Sequence, residues 1–313
     1  MEHRNTKKYP EPKFCWSFLH PRYFLTWALI FTFAFMSLLP LRVQRLFGPF
    51  IARTVFLFFP NRAEIIRENI DLCFPKAARY SRKWLVKKNI DNTGLALFET
   101  ANAWFWPDWR VKQHVTIEGL EGLLDLELRG RGVVLLATHS LNLEFAARAF
   151  GIFAPSSGVY RPNTNSVIDW VQYLGRSRSN RTLVHRKDVP AMLSTLRSGG
   201  RLWYAPDHDY GPRRSVFAPF FAVDKAATTT GTSILMGLEN SVLVPFTIKR
   251  IGNNYRIKVG KAVDGYPKDD LLEAARFTNR EIEKIISHAP EEYMWLHRRF
   301  KTRPEFESPL YKI

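Results

Sequence analysis

Short apolar segments alternate with amphipathic segments from residue 132 to the end of the chain. The segment 133–137 has the length and the branched side chains of a buried strand, whereas 143–150 and 269–288 have the spacing of amphipathic helices. Buried strands that alternate with such helices are typical of a parallel sheet covered by helices on both faces. We therefore predict an α/β fold with a mostly parallel sheet for residues 111–313.

The region before this α/β domain has a different character. Residues 1–22 are basic, and residues 23–41 carry no charge. A helix of residues 23–41 is about 28 Å long, just enough to cross a hydrocarbon core of about 30 Å. We predict a basic N-terminal tail (1–22), a transmembrane or anchor helix (23–41) and a membrane-proximal helical region (42–110). A cleaved signal peptide fits less well, because the apolar run is long and no small-residue cleavage site follows it. A buried core helix is the third interpretation.

Three segments make up the membrane-proximal region. Residues 46–59 are apolar but contain Pro49, which favours a segment in the membrane interface over a second span. Residues 62–72 have a helical period. Residues 81–105 do as well, and we expect that helix to break at residues 92–94, Asn-Thr-Gly.

The charge balance is strongly basic. The chain has 46 Lys+Arg against 29 Asp+Glu, a formal net charge of +17. Such a surface favours anionic partners: phosphates, nucleic acid, anionic lipid headgroups or an acidic protein. The two cysteines, Cys15 and Cys73, are too few for a disulfide framework or a four-cysteine zinc site, which suits a reducing compartment.

A histidine and a carboxylate follow the strand pattern at 133–137. These are His139 and, five positions later, Glu144. Two side chains at this spacing within one helix point about 140° apart, so they meet only if His139 lies in the loop and Glu144 in the first helical turn. In that geometry we expect Glu144 to hold one imidazole nitrogen while the other acts as a general base. The alternative is an ordinary loop histidine beside a glutamate that caps the helix.

Other polar segments follow strand patterns, where ligands gather in open α/β sheets. The turn at 175–181 is rich in arginine, whose fork of donors suits phosphate. Asp207 either orients an arginine, caps a turn or binds a metal; we predict no metal, because no ligand spacing elsewhere supports one. Residues 225–232 are expected at a helix start, where hydroxyl and N–H groups bind an anion or cap the helix. A solvated surface is the alternative for each basic segment.

Several longer motifs are more specific than these patterns. Besides His139 with Glu144, they are His20-Pro-Arg-Tyr23, Asn69-Ile-Asp-Leu-Cys-Phe-Pro75, Ala103-Trp-Phe-Trp-Pro-Asp108, Gly158-Val-Tyr-Arg-Pro-Asn163, Tyr204-Ala-Pro-Asp-His-Asp-Tyr-Gly-Pro212, Ala226-Ala-Thr-Thr-Thr-Gly-Thr232 and Trp295-Leu-His-Arg-Arg-Phe-Lys-Thr-Arg-Pro304. Together they resemble the late acyltransferases of lipid A biosynthesis, the lauroyl-, palmitoleoyl- and myristoyltransferases that act on (Kdo)2-lipid IVA in Gram-negative bacteria. The resemblance covers residues 17–305 and is closer to the lauroyl and palmitoleoyl branch.

This resemblance implies a glycerolipid acyltransferase-like fold, an acyl carrier protein thioester as donor and a bisphosphorylated glucosamine disaccharide lipid as acceptor. It implies no cofactor and no nucleic acid partner, and it places the catalytic domain on the cytoplasmic face of the inner membrane. The HX4D/E motif of the family corresponds to His139 and Glu144, and its further functional arginine and aspartate to Arg176 and Asp207. Residues 140–143, Ser-Leu-Asn-Leu, depart from the family, in which phenylalanine is expected soon after the histidine.

We therefore expect direct acyl transfer, in which His139 takes a proton from a lipid hydroxyl while Glu144 fixes the tautomer. The alternatives are an acyltransferase for another glycerophospholipid or glycolipid, and a membrane-tethered basic module that binds anionic lipid or nucleic acid. Acyl chain length, acceptor position and oligomeric state do not follow from the sequence, because they depend on packing. The residues expected to contact substrate or carrier protein are Arg161, Arg178, Asp209, Arg213, Arg214, Arg298 and Arg299.

Overall fold

The computed structural model describes residues 9–312. Its strands are, in chain order, β1 (Val115–Glu118), β2 (Gly132–Leu136), β3 (Ser157–Tyr160), β4 (Thr182–His185), β5 (Arg201–Tyr204), β6 (Ser215–Phe220), β7 (Val223–Thr229), β8 (Ser241–Ile251) and β9 (Asn254–Val259). One seven-stranded sheet has the order β1-β9-β8-β2-β5-β3-β4, and β6 and β7 form a separate antiparallel hairpin. Neighbours in the sheet are parallel except β8 with β9. The prediction of an α/β fold with a mostly parallel sheet is confirmed.

Helices precede the sheet and connect its strands. They are α1 (Phe24–Leu38), α2 (Leu41–Phe58), α3 (Pro60–Cys73), α4 (Arg79–Phe105), α5 (Asp108–Lys112), α6 (Leu120–Leu128), α7 (Leu143–Phe153), α8 (Ser166–Ser177), α9 (Val189–Arg197), α10 (Gly231–Met236) and α11 (Leu271–Ser287). Short 3-10 segments lie at Trp16–Leu19, Pro21–Tyr23 and Pro290–Glu292.

Strand β2 lies in the middle of the sheet, and all of its residues are buried. Successive side chains of a strand point to opposite faces. Accordingly, Val133 packs into an apolar core with Phe150 of α7, whereas Val134 packs into a second core with Ile282 of α11. Burial on both faces explains why this strand is apolar throughout.

The register of β2 with β5 determines where the loops emerge. The two strands are parallel neighbours, with Leu136 beside Tyr204 near their carboxyl ends. Parallel neighbours end at the same edge of a sheet, so the loops that follow them lie side by side. His139 and Asp207 lie in these two loops, each at the same distance along the chain from the paired strand ends.

Helix α4 passes through residues 92–94 without the predicted break. The side chain of Asn92 is buried and donates a hydrogen bond to the carbonyl of Glu291 at 2.9 Å. A Cβ at Gly94 would lie 1.8 Å from the carbonyl oxygen of Gly48, so the glycine lets α2 approach α4 closely. The prediction was wrong because these polar and small residues serve tertiary packing instead of a turn.

The helix start predicted within residues 225–232 lies at the end of this segment, and a strand that the sequence did not predict precedes it. Residues up to Thr229 belong to β7, and α10 begins at Gly231. The Thr228 hydroxyl is buried and accepts a hydrogen bond from Asn279 of α11 at 2.9 Å. Pairing with β6 therefore decides the conformation of this segment, a long-range contact that local spacing does not reveal.

One helical segment among residues 9–312, Pro21–Leu38, is long and apolar enough to cross a membrane. Residues 9–22, which belong to the predicted basic tail, contain 3-10 turns and contact the α/β domain through aromatic side chains. Residues 1–8 of the predicted tail lie outside the described residues.

Candidate active site

The loops after β2 and β5 bring His139 against Asp207. The Nδ1 atom of His139 lies 2.8 Å from Oδ1 of Asp207, and the backbone amide of His139 donates to Oδ2 at 3.0 Å. The Asp207 side chain is 0% exposed, whereas that of His139 is 24% exposed. One buried carboxylate thus holds both the ring and the backbone of a histidine that remains open to solvent.

The charge of Asp207 determines which imidazole nitrogen carries the proton. Burial by itself raises the pKa of Asp207, but the charge and hydrogen bonds of His139 lower it by more, so this pKa lies well below its usual range. An ionised carboxylate accepts hydrogen bonds and donates none, so Nδ1 of His139 carries the hydrogen. The lone pair is then on Nε2, which is the state required of a general base.

Glu144 lies in the first turn of α7, as predicted, but its partner is Arg176 of α8. Nε of Arg176 lies 3.1 Å from both carboxylate oxygens, Nη2 also donates to Oε1, and the indole of Trp104 donates to Oε2 at 3.3 Å. Burial raises the pKa of Glu144, but Arg176 lowers it by more, so the carboxyl is ionised. The structure therefore corrects the expected His139–Glu144 contact. Asp207 occupies that position because β5 delivers it beside the end of β2.

A stack of three histidine rings extends from the site into the protein. His208 lies between His139 and His297, with ring centres 3.6 Å and 4.0 Å away and interplanar angles of 15° and 5°. Its Nε2 atom is buried and makes no hydrogen bond with the described residues. Burial, followed by the nearby charge of His139, lowers the pKa of His208 to about 2. His208 is therefore a neutral ring that packs against His139.

The ligand atoms of His139, Asp207 and His208 lie within 4.8 Å of one another, which raises the question of a metal site. The lone pairs of stacked imidazoles run side by side in their ring planes and do not converge on one ion about 2.0–2.1 Å away. Asp207 also already accepts two hydrogen bonds from His139. This geometry suits proton transfer better than chelation, and the absence of a metal stays a prediction.

A distant segment holds the loop that carries His139. The carbonyl of His139 accepts a hydrogen bond from the amide of Met294 at 3.0 Å, and the amide of Leu141 donates to the carbonyl of Glu292 at 2.7 Å. The Asn142 side chain donates to Oε2 of the buried Glu292 at 2.7 Å, a contact between residues 150 positions apart. Sequence reasoning missed Glu292, because no local pattern marks a contact over that separation.

Two of the residues predicted to contact substrate or carrier protein have structural roles instead. Arg299 is buried, its Nη1 donates to the carbonyl of Ala227 at 2.7 Å, and its guanidinium lies 4.6 Å from the ring centre of Phe220. Asp209 is buried and accepts hydrogen bonds from the amide and hydroxyl of Thr302 at 2.7 Å and 2.8 Å. Neither faces a partner, which corrects both predictions. The candidates that do lie at the surface are Arg161, Arg178, Arg213, Arg214 and Arg298.

Comparison with known proteins covers nearly the whole chain. The sequence model of a family described as bacterial lipid A biosynthesis acyltransferase matches residues 11–302. The chain is 45% identical over 296 residues to the lipid A biosynthesis lauroyltransferase of Escherichia coli (strain K12), covering 94% of this chain and 97% of that protein. It is 40% identical over 305 residues to the palmitoleoyltransferase of the same strain, covering 97% and 99%.

The myristoyltransferase of that strain is 28% identical over 323 residues, covering 100% of this chain and 98% of that protein. The higher identities to the lauroyl and palmitoleoyl enzymes confirm the branch indicated by the motifs. A family match and identities of this size along almost the full length also establish the class of reaction. The chain is therefore an acyltransferase and belongs to the bacterial lipid A biosynthesis acyltransferase family.

Proposed function

We propose that this acyltransferase moves a fatty acyl group from an acyl carrier protein thioester to the hydroxyl of a 3-hydroxyacyl chain on (Kdo)2-lipid IVA. The observation that carries the proposed mechanism is the contact between the partly exposed imidazole of His139 and the buried, ionised carboxylate of Asp207. The names of the relatives, lauroyl- and palmitoleoyltransferases of lipid A biosynthesis, support the kind of acyl group and the pathway.

The reaction begins with the lipid hydroxyl, which needs a base because its pKa lies far above neutrality. Nε2 of His139 takes the hydroxyl proton while the oxygen attacks the thioester carbonyl carbon. Asp207 stabilises the imidazolium through its hydrogen bond to Nδ1. The tetrahedral intermediate then collapses, the C–S bond breaks, and the carrier's thiolate takes the proton from the imidazolium. General base catalysis of this kind contributes roughly 10²–10⁴-fold to the rate.

The Glu144–Arg176 pair supports this chemistry as a fixed pair of charges that joins the first turn of α7 to α8. Arg176 is 22% exposed at its side chain, and Glu144 holds its guanidinium in one orientation. A guanidinium held in this way is suited to a phosphate of the acceptor or to the oxyanion of the tetrahedral intermediate. We propose that Glu144 acts through Arg176, as a positioning residue.

The surface charge supports the proposed partners. Acyl carrier proteins are acidic, and the acceptor carries phosphates and carboxylates, so a protein with a net charge of +17 attracts both. We propose that the enzyme works at the cytoplasmic face of the inner membrane, where the lipid is already embedded and the carrier protein arrives from solution. No cofactor is part of this scheme.

The mechanism is tested by replacing His139 and Asp207 one at a time. His139→Ala and Asp207→Asn should each lower kcat by about 10²–10⁴-fold with acyl carrier protein thioester and purified lipid acceptor. His288→Ala is the matched control, because that histidine is exposed near the end of α11 and hydrogen-bonds the carbonyl of Lys284. A His139→Ala enzyme that keeps its kcat to within a few-fold would exclude the imidazole as base.

The identity of the acceptor is tested separately. The chain should add one acyl group to lipid A when it is expressed in a strain that lacks its own late acyltransferase, and mass spectrometry of the lipid measures the added mass. Acylation of a glycerophospholipid in place of lipid A would favour a related lipid acyltransferase. Binding to anionic lipid or nucleic acid without acyl transfer would instead favour a basic binding module.

A further inference from the structure

The residues that precede helix α1 are held on the α/β domain. Tyr9 stacks on His185 at the end of β4, with ring centres 3.9 Å apart and planes 9° from parallel. Phe14 and the buried Phe18 pack against Trp170 of α8, with ring centres 5.3 Å and 6.1 Å away. The segment that leads into α1 therefore lies on the same side of α1 as the catalytic sheet.

The first turn of α1 is also attached to α8. The hydroxyl of Thr26 accepts a hydrogen bond at 3.0 Å from Asn165, the residue that caps α8. The ring of Trp27 lies 6.4 Å from that of Trp170, and its indole donates to the carbonyl of Phe18 at 2.8 Å. These contacts tie the start of the helix to the domain through polar groups as well as rings.

The last turn of α1 is attached to the same domain. The indole of Trp106, which is buried in the core beside β2, donates to the carbonyl of Ser37 at 2.6 Å. Arg110 of α5 donates to the carbonyls of Ser37 and Leu39 at 3.2 Å and 3.3 Å. Both ends of α1 therefore contact one folded unit.

These contacts are difficult to reconcile with a helix that crosses a bilayer. Such a helix separates its ends by the hydrocarbon thickness of about 30 Å, whereas both ends of the apolar helix contact one folded unit. If α1 crossed the bilayer, the domain residues that contact its two ends would lie at opposite membrane surfaces. The charged residues beside those contacts, such as Arg110 and Asp169, would then enter hydrocarbon, which is costly.

The outer faces of α1 and α2 are apolar and exposed. The chain has no Asp or Glu from residue 24 to residue 58, whereas Arg42 of α2 is exposed. Soluble monomers rarely expose a large contiguous apolar surface, and basic residues beside such a surface suit anionic lipid headgroups. The exposed apolar side chains include Phe24, Leu25, Phe31 and Phe35 on α1 and Phe50 and Phe58 on α2.

From these contacts we propose that α1 does not cross the membrane. Helices α1 and α2, which both pack on α4, form a monotopic anchor immersed in one leaflet of an anionic bilayer, and the residues before α1 stay on the same side as the catalytic domain. This inference goes beyond the proposed function, which needs only that the enzyme reach its lipid. It implies that the active site is held at a constant height above the leaflet that contains the acceptor.

The native cysteines allow a direct test of this topology. Cys15 is exposed and lies before α1, whereas Cys73 is buried, so a membrane-impermeant maleimide should label Cys15 in the folded protein. In a Cys15→Ser background, Ser287→Cys at the exposed end of α11 reports the side on which the catalytic domain lies. We expect both positions to be labelled from the same face in sealed vesicles of each orientation. Labelling of Cys15 from the opposite face would overturn the proposal.

A second measurement covers the case in which lipid shields Cys15 from both faces. In the Cys15→Ser background, Tyr9→Cys and His185→Cys replace the two stacked rings. A short bis-maleimide should link this pair within one chain in intact membranes, whereas the pair Tyr9→Cys and Ser287→Cys serves as a control for nonspecific linking. Failure of the first pair to link, with each cysteine reactive after solubilisation, would place the N-terminal segment across the membrane and overturn the proposal.

Discussion

At the scale of single residues, His208 has an unusual environment. It is stacked between two other histidine rings, and its buried Nε2 makes no hydrogen bond with the described residues. A buried ring without a hydrogen-bond partner is stable only while it is neutral, and in the proposed mechanism its protonation would place a second positive charge against the imidazolium of His139. Its low pKa keeps this ring neutral beside His139.

Replacement of His208 should therefore change how stability depends on pH. The folded pKa of about 2 lies below the ordinary value of about 6.5, so the unfolded chain takes up a proton here at a pH at which the folded chain does not. The contribution of His208 is fully present above pH ~6.5 and is lost as pH falls, by at most about 1.4 kcal/mol per pH unit.

His208→Phe keeps the stack and removes this proton uptake. Its unfolding free energy should decline less than that of the original chain between about pH 6.5 and about pH 4.5, as measured by chemical denaturation in detergent. His288→Phe, at an exposed position, should leave the pH dependence unchanged. An identical pH dependence for His208→Phe and the original chain would refute this account.

At the scale of elements, the loop with His139 is held by residues 292–294 rather than by its own helix. Glu292 links three parts of the chain, because its Oε2 accepts from Asn142 while its Oε1 accepts from the backbone amide of Arg250 at 3.0 Å. Arg250 in turn pairs with Glu99 of α4 at 2.6 Å, and all of these charges are nearly buried. The position of His139, the proposed base, thus depends on a network that spans the sheet and the helical region.

Glu292→Ala should lower kcat by about 10–100-fold, because small displacements of a catalytic group are costly to the rate. The KM for the lipid acceptor should change little, since the Glu292 side chain is buried and cannot contact the acceptor. Glu292→Gln, which keeps the size and the acceptor for Asn142, should recover part of the lost kcat. Glu291→Ala is the control, because Glu291 contributes its backbone carbonyl to the network and alanine keeps that carbonyl. Equal losses for the two alanine variants would show that the effect is not specific to Glu292.

The contact between α2 and α4 allows a test of packing at the same scale. Gly94→Ala should destabilise the protein by about 1–3 kcal/mol, because its Cβ would meet the carbonyl oxygen of Gly48 at 1.8 Å. Gly122→Ala in α6 has open space around it and should stabilise by about 0.5–1 kcal/mol. Thermal unfolding in detergent measures both changes, and a neutral Gly94→Ala would mean that the two helices are not in close contact.

At the scale of the whole molecule, charge and apolar surface act together. The net charge of +17 favours acidic partners, and in the proposed anchor the exposed apolar faces of α1 and α2 attach the protein to a lipid surface. Long-range attraction between exposed charges is screened by salt, whereas burial of apolar side chains is not. Encounter with the carrier protein and attachment to the membrane should therefore respond differently to ionic strength.

The KM for acyl carrier protein thioester should rise between about 0.05 M and about 0.5 M salt, while kcat stays nearly constant. A neutral acyl-pantetheine donor should show no such rise, because it lacks the acidic surface of the carrier protein. Membrane attachment, measured by sedimentation, should persist over the same range. A KM that is independent of salt for both donors would argue against electrostatic docking of the carrier protein.

Local sequence was sufficient for several features of this protein. A strand buried on both faces must be apolar throughout, so the run at 133–137 predicted a buried strand of a sheet covered by helices. Hydropathy marked the apolar segment before residue 41. The long motifs indicated the family, because they contain the residues of the candidate site. Each of these features depends on residues that lie close together in the sequence.

Tertiary structure decided the features that depend on distant residues. Asp207, and not the nearby Glu144, holds His139, because the register of two parallel strands brings together residues 68 positions apart. The continuity of α4 at Gly94 and the hairpin of β6 with β7 likewise depend on partners far along the chain. A side chain is oriented by whichever group the packed backbone places within hydrogen-bond distance, and only the folded chain determines that group.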